Sequence, residues 1–441
     1  MIKELWVWMN GELVGRWYRG RTGHHRFVYE EGWLSSPKRR PLSLSMPIGS
    51  TRVVEGAVVG HFFDNLLPDS VDIRKRLATR FKTHSIEAFE LLQALGRDCV
   101  GAVQLLPEGC TPTGFDRLDY QALSETDVEQ ILLRVPTLPM FGTRDDEDEF
   151  RISIAGAQEK TALLRVGQQW CKPLAATPTT HILKLPLGQV GGMRLDLTHS
   201  IENEWLCGQI LSALGLLTAS AEIVEFGSQK VLAVERFDRR LTMDGWIVRL
   251  PQEDFCQVLG RPSTQKYEAD GGPGISDILK VLAHGQSAKA DSLTFLCAQL
   301  AFWLLAATDG HAKNFSIFLL PGDAYRLTPL YDVLSAWPVI GHGAGQLPWQ
   351  RARLAMAVHS KNTHYKLSEI QPRHLHQLAR KSGVEAAWEA MLTLLSRVDT
   401  VLDEVANRLP PAFPTQTAEA IFSGVRAQRD RFLLATASAE R

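Results

Sequence analysis

The sequence predicts an α+β protein: a small N-terminal α+β unit, then a β-rich lobe, then an all-α lobe. Three observations carry this. Apolar and polar letters alternate on both sides of Asn10-Gly11 in "LWVWMNGELVGRWY", the pattern of a tight hairpin. A β-rich stretch from about residue 150 to 250 is interrupted by a single helical segment, "LTHSIENEWLCGQILSALGL". From Gln252 onward the periodicity is mainly helical, and its most apolar part is the fifteen-letter run Leu293–Ala307, "LTFLCAQLAFWLLAA".

In chain order, the hairpin is followed by a strand in "HRFVYEEGWL", helical patterns in "VVGHFFDNLL" and "SIEAFELLQAL", and the strand "VGAVQLLP". These close a unit at residues 1–108. "PEGCTPTG" is a linker by composition and leads into the helix "SETDVEQILLRV". Residues 109–149 therefore read as linker and helix, ending in the solvated acidic run Arg144–Glu149. The β-rich lobe, 150–250, holds "FRISI", the turn "AGAQ", "KTALLRV", "THILKLP", "AEIVEF" and "KVLAVERF". In the helical lobe, 251–441, the exception is "NFSIFLLPGDAYRLTPLYD", a hairpin turning at Pro321-Gly322-Asp323.

At 441 residues with 45% hydrophobic letters, the chain has material for more than one core. A formal net charge of −1 excludes a strongly basic molecule, so nucleic-acid contact must be local or borrowed from a partner. The six cysteines are scattered, with no CxxC and no zinc-ligand spacing. They read as reduced core residues of a cytoplasmic protein. "MIKELWVWMNGELVG" lacks the apolar block of a signal peptide, and Leu293–Ala307 is too short for a membrane span, which needs about 20 residues.

The densest polar chemistry follows that apolar run. In "TDGHAKN", Asp309 and Asn314 have the D-x-x-x-x-N spacing of a kinase catalytic loop. There a carboxylate orients the attacking hydroxyl and takes its proton, and an amide oxygen holds magnesium. Lys313 lies between them, where an ammonium meets phosphate charge. Tyr331-Asp332 ends the following hairpin, the place of a second magnesium ligand. Taken alone, Asp332 also fits a helix N-cap. Lys184, on the apolar strand "HILKLP", needs a partner if buried. Glu204 is the natural one and Glu202 the alternative, unless the lysine reaches water at the strand edge. "ISIAGAQEK" is a strand–turn–strand whose Gly156 lets backbone N–H groups approach phosphates, although turn geometry alone also asks for glycine there. The chain order of these five features is that of a kinase site on a two-lobed kinase-like fold.

No rival motif competes: there is no G-x-x-x-x-G-K-[ST], H-E-x-x-H or G-x-S-x-G, and "GHGAGQ" reads as a loop. "HLH", His374 and His376, reads as a helix surface.

The blocks "FDNLLPDS", "GRDCVGAV", "ISIAGAQEKTALL", "THILKLP", "AVERFDRR", "LPQEDFCQ", "DGGPGI", "ATDGHAKNFS" and "RLTPLYD" together resemble the HipA family. These are the serine/threonine-kinase toxins of bacterial HipBA toxin–antitoxin modules. The resemblance implies Asp309 as catalytic base, Asn314 and Asp332 as magnesium ligands, and Lys184 on the ATP phosphates. It implies a phosphate loop from Ala155 through Gly156, Ala157, Gln158 and Glu159 to Lys160, and an adenine hinge at Glu235, Arg236 and Phe237. His311, Ala312, Lys313 and Tyr331 would complete the ATP site. Ser153 resembles the serine that the family autophosphorylates; read from its strand alone it is an ordinary serine.

The resemblance also implies partners: a HipB-like helix-turn-helix antitoxin facing the N-terminal unit, operator DNA reached chiefly through it, and a protein substrate such as glutamyl-tRNA synthetase. Arg373, Arg380 and Lys381 in "PRHLHQLARKSG" lie on a helix and offer phosphate contacts, although each also fits an ordinary surface. Two other readings stay open: a catalytically silent co-repressor acting with the antitoxin, and a small-molecule kinase.

Overall fold

The computed structural model describes residues 3–137, 153–156 and 158–439. The acidic run Arg144–Glu149, the first letters of "FRISI" and Ala157 lie outside them. The chain forms two compact units, one of residues 1–185, 224–265 and 316–325, the other of residues 186–223, 266–315 and 326–441.

The first unit opens with an antiparallel sheet in the order Val53–Glu55, His25–Tyr29, Glu12–Arg19, Lys3–Met9, Val103–Pro107. Asn10 and Gly11 both take positive φ, +46° and +82°, so the hairpin closes with Met9 opposite Glu12. That requirement is why Asn-Gly is found there. The helices Ala57–Asp64 and Ala88–Leu95 cover the sheet, and Trp17 stacks on Phe63 with ring centroids 4.0 Å apart. "EEGWL" does not extend its strand, because Glu31–Ser35 turns helical.

In the same unit a second sheet places His181–Lys184 between Gln229–Glu235 and Lys160–Val166, with Gln169–Pro173 and Tyr120–Ala122 beyond. The helix Glu125–Arg134 starts at a capping box, the Ser124 and Asp127 side chains each bonding the other's backbone N–H. Of "FRISI", the described residues Ser153 and Ile154 are not in a strand.

The first unit also holds a buried ionic cluster. Asp98 sits 3.3 Å from Arg236, 3.0 Å from Arg239 and 3.1 Å from Arg249, and Asp238 pairs with Arg236 and Arg239 at 2.9 and 3.0 Å. Burial alone would push the Asp98 carboxyl up. The three guanidiniums outweigh it and hold the group well below the usual carboxylate range.

The second unit is mainly helical. Ala288–Leu305 packs against Ile275–Leu282, Ala387–Ser396 and Thr415–Ala439. It is apolar nearly all round, as a helix enclosed on all sides must be. The unit also carries two hairpins that periodicity missed, Gly188–Val190 with Leu195–Leu197 and Arg353–His359 with Thr363–Lys366. The predicted Pro321-Gly322-Asp323 turn is present, with Gly322 at φ +75°. That hairpin belongs to the first unit, with its strand Ser316–Leu319 paired to Gln252–Asp254 of the same unit.

Candidate active site

In the second unit, Ala288–Leu305 ends where Ala306 turns left-handed, at φ +50°, and Ala307 N–H bonds back to the Phe302 carbonyl at 2.8 Å. Gly310 lies against the same phenylalanine; a Cβ there would fall 2.4 Å from the ring. The chain leaves the core in this narrow turn and exposes Asp309, while His311, Ala312, Lys313 and Asn314 are buried again. The Asn314 N–H bonds the His311 carbonyl at 2.9 Å, completing a short 3₁₀ turn at Ala312–Asn314.

The D-x-x-x-x-N segment and the post-hairpin aspartate come together. Asn314 Nδ2 donates to Asp332 Oδ2 at 3.2 Å and to its carbonyl at 3.3 Å. Tyr331 holds the loop from the same side, its hydroxyl donating to the Lys313 carbonyl at 2.8 Å. Asp332 sits at φ +59°, a strained conformation for this residue type and no N-cap geometry. Asn314 Oδ1 is buried and, among the described residues, has no hydrogen-bond partner. An unmet amide oxygen beside a carboxylate fits a hard cation such as magnesium, which takes a few protein oxygens and completes its shell with phosphate and water.

In the first unit, Lys184 is 6% exposed, with Leu232 and Lys160 as its neighbours across the sheet. The described residues of the predicted phosphate loop are tied beside it. Gln158 Nε2 donates to the Leu185 carbonyl at 2.6 Å, and the Leu185 N–H bonds the Glu159 carbonyl at 3.1 Å. Glu159 pairs with Arg76. Gly156 has φ +111°, a backbone conformation that L side chains rarely adopt, and its open face lies against the flexible end of Lys160. Lys160 Nζ donates to the Ala155 carbonyl at 3.0 Å. Ser153 is 1% exposed: its Oγ donates to the Leu66 carbonyl at 2.7 Å and its N–H to the Asp98 carbonyl at 3.2 Å.

At the predicted hinge, Glu235 is exposed and Phe237 packs edge-on against Phe318. The Arg236 side chain is locked in the ionic cluster, and its N–H bonds the Thr180 carbonyl at 2.8 Å. Glu202 and Glu204 are buried on Ser200–Ala213 in the second unit. Arg380 and Lys381 are exposed at the end of Pro372–Lys381, and Arg373 and Arg380 line a groove of about 780 Å³. The expectation for "HLH" needs correcting. His376 is exposed, but His374 is buried and stacked on His364, centroids 3.8 Å apart. Burial, then His364 and Arg373, push its pKa down to about 4.

Two residues escaped the sequence reading. Tyr267 donates its hydroxyl to Asp309 Oδ1 at 2.6 Å. Asp98 organises the ionic cluster from within "GRDCVGAV", a block noticed only as a resemblance.

Residues 152–412 match the family model for the HipA-like C-terminal domain, and residues 5–106 match that for the HipA N-terminal domain. The chain belongs to the HipA family. Among HipA relatives, a Sinorhizobium fredii protein named "Putative kinase Y4mE" is 33% identical over 87% of this chain and 86% of its own length. The serine/threonine-protein kinase toxin HipA of Shewanella oneidensis is 28% identical over 70% of this chain and 69% of its own. The structure of Shewanella oneidensis HipA with HipB and operator DNA superposes with a TM-score of 0.79 and 23% identity, covering 98% of both chains. That likeness establishes the two-lobed α+β HipA fold. Among the described residues, no helix is long and apolar enough to cross a membrane.

Proposed function

We propose that this HipA-family chain is an ATP- and magnesium-dependent serine/threonine protein kinase acting as the toxin of a toxin–antitoxin pair. The observation that carries the reading is the buried, unmet Asn314 oxygen beside Asp332, a few residues beyond the exposed Asp309. In this reading Asp309 orients the attacking hydroxyl and takes its proton, and Asn314 and Asp332 hold magnesium. The bound ion neutralises charge on the ATP phosphates. Lys184 holds those phosphates, and the Gly156 turn offers backbone N–H groups. Because the Arg236 side chain is committed elsewhere, Glu235–Phe237 receives adenine through its backbone.

Ser153 is the self-phosphorylation site in this reading. Its hydroxyl is buried on the Leu66 carbonyl, so modification requires the segment to leave that seat. A phosphate of about −1.5 to −2 charge then prevents its return, which inactivates the enzyme. The partners are a HipB-like antitoxin, operator DNA through it, and a translation protein such as glutamyl-tRNA synthetase as target. Support comes from the Shewanella relative, whose name is that of a kinase toxin and whose solved assembly holds HipB and operator DNA.

Intact mass after incubation with ATP and magnesium tests this, for wild type, Ser153→Ala and Asp309→Gln. The expected result is one phosphate gained by wild type and none by either variant. No gain by protein that still binds ATP, together with no transfer to glutamyl-tRNA synthetase, would favour a silent co-repressor instead.

A further inference from the structure

Tyr267 lies outside the D-x-x-x-x-N motif, yet its hydroxyl rests on the aspartate of that motif, donating to Asp309 Oδ1 at 2.6 Å. We propose that Tyr267 is a positioning residue for Asp309. Its phenol occupies one carboxylate oxygen and fixes the rotamer, leaving Oδ2 to accept from the substrate hydroxyl. The inference rests on the kinase reading and adds a residue to it.

The surroundings favour a fixed phenol over a swinging one. The Lys266 carbonyl accepts the Ala312 N–H at 3.2 Å, tying the tyrosine's backbone to the loop just after Asp309. The Tyr267 ring meets His311 edge to face, centroids 5.0 Å apart at 82°. Glu268, the next residue, accepts the Ala357 N–H at 2.6 Å and contacts His359 Nε2 at 2.5 Å. Gly274 lies against that carboxylate, where a Cβ would fall 2.6 Å from its carbon. Separate segments thus hold the turn from several sides.

Asp309 needs such a brace. Its side chain is exposed, and its carbonyl is already taken by the His311 N–H at 2.8 Å. A solvent-facing carboxylate with no fixed donor samples several rotamers. A base misplaced by about 1 Å loses about 10²-fold in rate. The phenol O–H is a directional donor that selects one rotamer.

The test uses the full chain with Tyr267→Phe, Tyr267→Ala, Asp309→Gln and the Tyr267→Phe/Asp309→Gln double variant. Melting temperature, ATP turnover and ³²P transfer from ATP–Mg²⁺ into the chain are measured. Tyr267→Phe should keep the wild-type melting temperature and half-saturating ATP concentration, while the rate of phosphate transfer at saturating ATP falls roughly tenfold or more. Tyr267→Ala should also lower the melting temperature, because it removes the ring from His311. The double variant should be no slower than Asp309→Gln, since a residue acting through Asp309 has nothing left to position. An active wild type with an unaffected Tyr267→Phe overturns this inference alone. A faster Tyr267→Phe overturns it too, making the phenol a competitor for the base. A wild type that turns over no ATP and transfers no phosphate overturns the kinase reading, and this inference with it.

Discussion

Asn314 donates from Nδ2 to Asp332 Oδ2 at 3.2 Å, and its own buried Oδ1 has no hydrogen-bond partner among the described residues. An unmet buried acceptor costs about 1–3 kcal/mol, and Asp332 adds strain at φ +59°. Two destabilising features side by side mark a place shaped by something other than stability.

Asn314→Leu removes the orphaned oxygen but also the two Nδ2 hydrogen bonds to Asp332, so the gain and the loss offset and its melting temperature should shift little in a thermal scan. In the proposed kinase site Asn314 holds magnesium, and on that reading phosphoryl transfer should fall by roughly 10²-fold or more. Undiminished transfer by a folded Asn314→Leu would show that Oδ1 takes no part in the reaction.

Asp98 anchors the ionic cluster, in which buried arginines already outnumber buried carboxylates. Removing one member of a buried ionic network leaves charge uncompensated and costs about 3–5 kcal/mol. Asp98→Asn should lower the urea midpoint accordingly. Combining it with Arg249→Met should recover part of that loss, because one stranded cation goes with it. Additive losses in the double variant would count against a coupled cluster.

What the sequence revealed depended on how local the physics is. Asn10-Gly11 was legible because a two-residue turn needs positive φ at both positions. Leu293–Ala307 was legible because a helix enclosed on every side is apolar on every side. Asp309 and Asn314 announce themselves by spacing along one short loop. The hairpin starting at Arg353 was not legible, since "RLAMAVH" is a continuous apolar run that periodicity cannot assign to strand or helix. His374 looked like surface because its burial against His364 is a tertiary event. Tyr267 and Asp98 act on residues 42 and more than a hundred positions away, and no spacing rule reaches them.

Ala306 closes Ala288–Leu305 in a left-handed conformation, at φ +50°. A residue with a Cβ meets a penalty of about 1–2 kcal/mol there, which glycine avoids at some entropic cost to folding. Ala306→Gly should raise stability by about 0.5–1 kcal/mol in urea unfolding. The gain should come without loss of activity, because the loop from Asp309 to Asn314 keeps its own hydrogen bonds. A destabilised Ala306→Gly would mean that the Cβ contributes packing worth more than the backbone strain.

Glu253 gives the fold a pH dependence that does not come from the candidate site. It is wholly buried in the first unit, accepting the Ser43 hydroxyl at 2.5 Å and the Leu44 N–H at 2.9 Å. Burial raises its pKa to about 8; those two hydrogen bonds oppose the rise, and nearby Asp254 adds to it. The folded chain thus binds this proton more tightly than the unfolded chain does. The resulting stabilisation is complete below the ordinary carboxylate pKa and is lost as pH rises through about 8. Wild type should lose stability steadily between about pH 5 and about pH 8 in urea titrations. Glu253→Gln should flatten that slope. The glutamine oxygen can still accept from Leu44, its amide can donate to Ser43, and the Ser43 hydroxyl can turn to the Gln257 carbonyl at 3.3 Å. Equal slopes for the two proteins would mean that Glu253 does not carry this proton in the folded state.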